Sequence, residues 1–141
     1  MKSKIIYLSL WCLLSGCLGF DTKEKVVGNY YLVAPDDESQ LSLDYCDPAD
    51  QNGCGGVIGA TVFAVGYNEK YIIVKQHPSA FPKAPNKKMT NFFIVPITGG
   101  FNYRTMNNLI GPLTLEQFSD KRKELNIPDS LKFTIVKDNL K

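Results

Sequence analysis

The apolar run Ile5–Leu14 is too short to cross a membrane, and it decides how much of the chain is left to fold. A spanning helix needs about 20 apolar residues to cover about 30 Å of hydrocarbon. Here a ten-residue run follows a positive head of Lys2 and Lys4 and ends at Leu14-Ser15-Gly16-Cys17. That is the layout of a secretory leader, with small residues just before a cleavage point. Leu-Ser-Gly-Cys also has the form of a bacterial lipobox, which directs diacylglycerol and palmitate-type acyl chains to a cysteine sulfur. The expectation is a lipoprotein signal peptide over 1–16, lipidation at Cys17, and a tether over 17–25 leading into one domain over 26–141. Leu18 rather than Asp follows the cysteine, which in a Gram-negative cell favours the outer membrane, facing the periplasm. Acyl chains contribute about 0.8 kcal/mol per buried CH₂, so lipid anchors the chain to the cell envelope without a basic patch.

Composition sets the remaining bounds. A chain of 141 residues has material for one core and not for two. With 44% hydrophobic residues it is too apolar for a disordered protein. Its net charge of +2 lacks the strongly basic field of a general nucleic-acid binder. Once Lys2 and Lys4 leave with the leader, 14 basic residues face 14 acidic ones. The charge is segregated: residues 17–60 hold two Lys against eight acidic residues, and 61–141 hold twelve basic against six acidic. The plain physical reading is that the two stretches face each other or water.

Cysteine usage fits export. With Cys12 in the leader and Cys17 lipidated, Cys46 and Cys54 form an even pair and read as a disulfide. The turn-forming stretch Asp47-Pro48-Ala49-Asp50-Gln51-Asn52-Gly53 folds back readily between them. Zinc needs more ligands than two Cys and the single His77.

Along the chain, 26–34 has the β-branched and aromatic content of a strand, and 41–45 alternates as a second. Two apolar runs, 57–66 and 71–77, are separated by turn-type residues 67–70 and predict a hairpin. Residues 78–90, with Pro78, Pro82, Pro85, Lys83, Lys87 and Lys88, form a long basic loop. Asn91–Ile97 is a strand with Pro96 at its end or on an edge, Gly99-Gly100 turns the chain, and 101–105 returns. Thr114 stands three residues before Gln117, the pattern of a capping box opening a helix whose apolar face is Leu115, Phe118 and Leu125. Pro128 stops it, and 131–136 alternates as a last strand. The class is therefore α+β, a mainly antiparallel sheet with one C-terminal amphipathic helix packed on it. The helix is expected against the side of the sheet carrying Ile72, Val74, Phe93 and Val95. A single propeller-like blade fits the hairpins too, but one blade does not fold alone.

Few residues offer chemistry. His77 has no Ser, Cys or acid beside it in sequence to complete a catalytic set, and no nucleophile elbow or phosphate loop occurs. Asp44, Asp47, Asp50 and Asn52 are weak candidates for hard oxygen ligands to Ca²⁺, with EF-hand spacing absent. A solvated loop is preferred, with no metal and no cofactor. Tyr30, Tyr31, Tyr67, Tyr71, Phe92, Phe93, Phe101 and Tyr103 are expected in the core and in cross-strand pairs.

Two segments carry a resemblance. Val65-Gly66-Tyr67-Asn68-Glu69-Lys70-Tyr71-Ile72-Ile73-Val74-Lys75-Gln76-His77 is similar to the central hairpin of an uncharacterised, DUF3997-like family of small bacterial lipoproteins. Gly111-Pro112-Leu113-Thr114, Phe118 and Arg122-Lys123-Glu124-Leu125-Asn126-Ile127-Pro128 resemble that family's C-terminal signature. The likeness spans about residues 57–133, leaving Cys46 and Cys54 outside it, and it brings no activity with it. The expected role is a non-enzymatic binding or accessory module of the envelope with a protein or glycan partner and no nucleic acid. The chain supplies variable loops at 35–40, 46–56 and 78–90, and the acidic 46–56 and basic 78–90 loops are the expected contact surfaces. The alternative is a small envelope hydrolase using His77.

Overall fold

The computed structural model describes residues 22–49, 53–80, 82–97, 101 and 109–141. The leader, Cys17, Asp50, Asn52, the Gly99-Gly100 turn, Tyr103 and most of the expected 101–105 strand lie outside the described residues.

Four strands make a first antiparallel sheet in simple chain order: β1 (Thr22–Val27), β2 (Tyr30–Ala34), β3 (Ser42–Cys46) and β4 (Cys54–Ile58). The expected single strand over 26–34 is two, because Gly28 adopts φ +55° and turns the chain with Asn29. Val27 pairs with Tyr30 across that turn, a two-residue hairpin that needs a residue tolerant of positive φ. The sheet thus begins at Thr22, inside the stretch expected to be tether. Along β2, Tyr30, Leu32 and Ala34 turn inward while Tyr31 and Val33 are half-buried, the period-2 pattern of a strand with one core face.

The apolar run 57–66 also divides. Val57 and Ile58 finish β4, and the chain then enters a second sheet at β5 (Val62–Tyr67). That sheet has the order β8-β7-β6-β5-β9, with β6 (Tyr71–Gln76), β7 (Asn91–Pro96), β8 (Ile110–Leu113) and β9 (Ile135–Val136). The β5–β6 hairpin is as expected, its turn tied by Asn68 Oδ1, which accepts from the amides of Lys70 and Tyr71 at 2.9 Å each. Pro96 closes β7 as anticipated. Strand β7 lies between β6 and β8, and the Pro112 of β8 is tolerated because β8 is an outer strand among those described. Only Ile135 and Val136 of the expected last strand join the ladder, against Val65 and Ala64.

The two sheets enclose one core. Tyr30, Leu32, Leu43 and Ile58 from the first meet Val62, Val65, Ile72, Val74, Phe93 and Val95 from the second. A second, smaller core lies on the other side of the second sheet, where Ile73, Phe92 and Ile94 meet Phe118, Ile127 and Leu131. Helix α1 (Leu115–Glu124) belongs to this smaller core, so the expected packing of the helix on Ile72, Val74, Phe93 and Val95 is reversed by one residue. Both sides of β6 and β7 are covered, which makes their apolar runs continuous rather than alternating. The expected helix face is also corrected: Phe118 is buried and Leu125 half-buried, but Leu115 is 65% exposed.

The capping box is present. Gln117 N donates to Thr114 Oγ1 at 3.2 Å, and Thr114 N donates to Gln117 Oε1 at 2.9 Å. The helix ends before Pro128, at Asn126, which takes φ +53°. Asn126 N donates to Lys123 O and Ile127 N to Arg122 O, the paired bonds of a Schellman ending that satisfy two otherwise orphaned carbonyls. Among the described residues no helix is long and apolar enough to cross a membrane.

Candidate ligand cleft

Period-2 geometry sends Ile73, Lys75 and His77 to the same side of the strand that β6 begins. Ile73 lies under the helix, whereas Lys75 and His77 lie past its first turn, where the sheet is left open. Phe63, Phe92, Thr90, Lys88, Thr114, Leu115 and Lys141 complete a cleft of about 610 Å³ around them. That volume suits a small-molecule ligand.

His77 is held on four sides. Its backbone N–H and C=O exchange 2.9 Å hydrogen bonds with Thr61, extending the β5–β6 ladder by one step. Its ring stacks on Phe63, centroids 4.2 Å apart and planes 14° from parallel. Nδ1 lies 2.6 Å from the carbonyl oxygen of Met89. A carbonyl only accepts, so Nδ1 carries the proton and Nε2 is left as the free nitrogen. The residue is 3% exposed, and Nε2 is buried without a hydrogen-bond partner.

The Pro-rich loop that supplies Met89 is pinned by its own backbone. Asn86 N donates to Pro78 O at 2.9 Å, Lys83 N to Ala80 O at 2.8 Å and Met89 N to Asn86 O at 3.1 Å. Lys87 Nζ reaches the Asn139 carbonyl at 3.2 Å, tying the loop to the C-terminal segment. Lys88 points into none of the ion pairs among the described residues, and Lys75 is held by aromatic faces alone, 4.5 Å from the Phe133 centroid and 5.7 Å from that of Phe92. Lys141 is paired with Asp138. Among the described residues no carboxylate side chain lines the cleft.

The arrangement is cationic at its rim, aromatic at its base, and has one buried nitrogen without a partner. It can bind an anion. As described, it gives His77 no carboxylate to orient it, since the Met89 carbonyl occupies that position.

Cys46 and Cys54 face each other in the β3–β4 register and are joined by a disulfide. Of the acidic residues around them, Asp44 and Asp47 are described. Asp44 accepts from Ser42 Oγ at 2.6 Å, and Asp47 accepts from the Ala49 amide at 2.9 Å. No group of three or more His, Cys, Asp or Glu side chains able to hold a metal occurs among the described residues. Tyr30, Phe92, Phe93 and Phe101 are core residues, Tyr31 and Tyr71 are half-buried, and Tyr67 is exposed. Tyr30 meets Tyr45 edge-on at 5.1 Å.

Of the cleft, only His77 is read from sequence as a catalytic candidate; Lys88, Phe92, Thr114 and Leu115 are read there as loop, core and helix residues. Lys75 shares its side of the strand by simple alternation, a signal that was there to be read. Lys88, Lys141 and Thr114 come from distant segments, and only the fold brings them together.

The family match runs from the last residue of β1 through β2 to β9, the helix included, over residues 27–138. The chain belongs to DUF3997, a family of proteins of unknown function. The DUF3997 match is wider than the resemblance read from the hairpin and the helix, and it takes in the Cys46–Cys54 hairpin. No curated protein and no solved structure matches the chain.

Proposed function

We propose that this DUF3997 protein is a non-enzymatic binding module of the cell envelope, anchored by lipid on Cys17 and engaging an envelope partner, protein or glycan. The observation that carries the reading is the cleft at His77, with cations at its rim, aromatic rings at its base and, among the described residues, no carboxylate side chain in its lining. Binding asks only for a rigid scaffold with an exposed, chemically distinct surface, and two sheets on a shared core supply one. A hydrolase asks for a nucleophile, an oriented base and an oxyanion site together. The Met89 carbonyl on Nδ1 is a weaker support for a base than a carboxylate is.

The test is crosslinking and capture of the full chain from its own envelope. A partner retained by the native chain and lost from the membrane fraction with Cys17→Ser supports the reading, as does loss of fatty-acid-analogue labelling in that variant. Turnover of a hydrolase substrate that disappears in His77→Ala, with no partner captured, overturns it.

A further inference from the structure

We propose that the His77 cleft is a site for a singly protonated phosphate carried on an apolar stem, as in an alkyl phosphate. This rests on the binding reading above and names the chemistry of what is bound. Three independent features point the same way. The first is His77 Nε2, buried without a partner in a residue that is 3% exposed. A buried polar atom left unsatisfied is costly, and a ligand oxygen removes that cost. With its proton on Nδ1, the ring offers Nε2 as an acceptor for the P–OH of a singly protonated phosphate, whose charged oxygens are left to the lysines.

The second feature is charge. Lys75 and Lys88 line the cleft and join no ion pair among the described residues. The third is the start of α1 at the same cleft, where Thr114 and Leu115 are among the lining residues. The capping box engages Gln117 N, and the amides of Leu115 and Glu116 remain among the orphan donors of the first turn. The base of the cleft explains the stem. Phe63, Phe92 and Leu115 are apolar, and Leu115 is 65% exposed although it begins an amphipathic helix. A bare phosphate leaves these surfaces in water, whereas an alkyl or aryl group covers them.

His77 is the single histidine, so its ring gives one set of NMR signals and reports on this cleft alone. The experiment uses the full lipidated chain in phosphatidylcholine nanodiscs, labelled with ¹⁵N-histidine. Hexyl phosphate is expected to move the Nε2 resonance saturably at about 1 mM or below. Inorganic phosphate and hexanol, each supplying half of the ligand, bind at least about tenfold more weakly. Lys88→Gln, an exposed change on the loop, weakens hexyl phosphate about tenfold, while Lys83→Gln outside the cleft leaves it unchanged.

Two sources of such an anion are separated by repeating the titration with phosphatidic acid, a phosphomonoester lipid, in the disc. Competition assigns the site to a membrane headgroup, and unchanged affinity assigns it to a soluble amphiphile; both results support the site. An Nε2 resonance that hexyl phosphate leaves in place, or hexanol binding as tightly with no effect of Lys88→Gln, overturns the proposal. Partner capture that persists unchanged in Lys88→Gln under that outcome leaves the binding-module reading standing, so the two failures are distinguishable.

Discussion

The carbonyl oxygen of Lys132 lies over Gly66 so closely that a Cβ on the glycine would sit 2.0 Å from it. The same Cβ would sit 3.2 Å from Ile73 Cγ1, so it has backbone above and a packed side chain beside it. The segment ahead of β9 runs across β5 at this point, and Thr134 N donates to Val65 O at 3.0 Å just beyond it. Gly66→Ala is therefore expected to lift residues 131–134 and cost about 1–3 kcal/mol by overpacking. Urea unfolding gives the stability change, and faster exchange of the Thr134 amide locates it. Unchanged protection at Thr134 refutes the account.

Phe118 and Leu115 separate the two readings of the helix face. Phe118 stacks on Phe92 with centroids 5.0 Å apart and is buried. Phe118→Ala is expected to cost about 3–5 kcal/mol through lost transfer energy and a cavity. Leu115→Ala should change stability by under about 0.5 kcal/mol, because the side chain is in water already. Equal losses in denaturant melts would return Leu115 to the core.

Asn126 stops the helix by accepting the left-handed region. Asn126→Val should cost about 1–2 kcal/mol, whereas Asn126→Gly should cost nothing. Hydrogen exchange at Ile127, whose amide bonds Arg122 O at 2.9 Å, reads out whether the Schellman ending survives.

The disulfide closes a hairpin with a sequence separation of 8. Replacing both cysteines with serine should cost about 2–3 kcal/mol by restoring freedom to the unfolded chain. Intact-mass measurement under alkylation, with and without reductant, confirms the bond in envelope-derived protein. Two free thiols in that material would contradict it.

Asp37 gives a pH dependence of known sign. Its carboxylate accepts hydrogen bonds from the Ser39 side chain and from the Ser39 amide, which hold its pKa below the ordinary aspartate value. A depressed folded pKa means that its contribution to stability is present above the unfolded value and lost as pH falls through the folded one. The 3₁₀ turn over Glu38–Gln40 that it caps should loosen only in that acid range. The Ser39 amide shift tracks it, and a midpoint at or above the ordinary value would count against the cap.

What the sequence made legible follows from what each residue must do locally. The helix was readable because Thr114, Gln117 and Pro128 act within a turn or two of themselves. The disulfide was readable because, with Cys12 and Cys17 assigned to the expected leader and lipid, the two remaining cysteines leave one partner each. The side of the sheet was not, because Ile72-Ile73-Val74 and Phe92-Phe93-Ile94-Val95 are apolar without alternation and fit either register. Strand β8 was hidden by Pro112, whose place on the sheet's edge is a tertiary fact. The β1–β2 turn was lost inside an apolar stretch where Gly28 and Asn29 are the only punctuation. The cleft failed for a third reason: His77 finds Met89, Lys88, Thr114 and Lys141 through loop closure and not through spacing.

The pairing of β9 with β5 has a bearing on how the chain reaches this state. In the first sheet each strand meets its neighbour in sequence, so it zips through short loops as soon as its residues exist. Strand β5 has no such fortune on one side. Its second neighbour is the two-residue β9, reinforced by Lys137 N donating to Phe63 O at 2.8 Å, and both follow every other described strand in sequence. Until then β5 presents a bare row of amides and carbonyls beside an apolar surface, an invitation to pair with another chain. The smallest of the described strands is thus the one that ends this vulnerable interval, and a truncation removing it would show itself first as aggregation during synthesis.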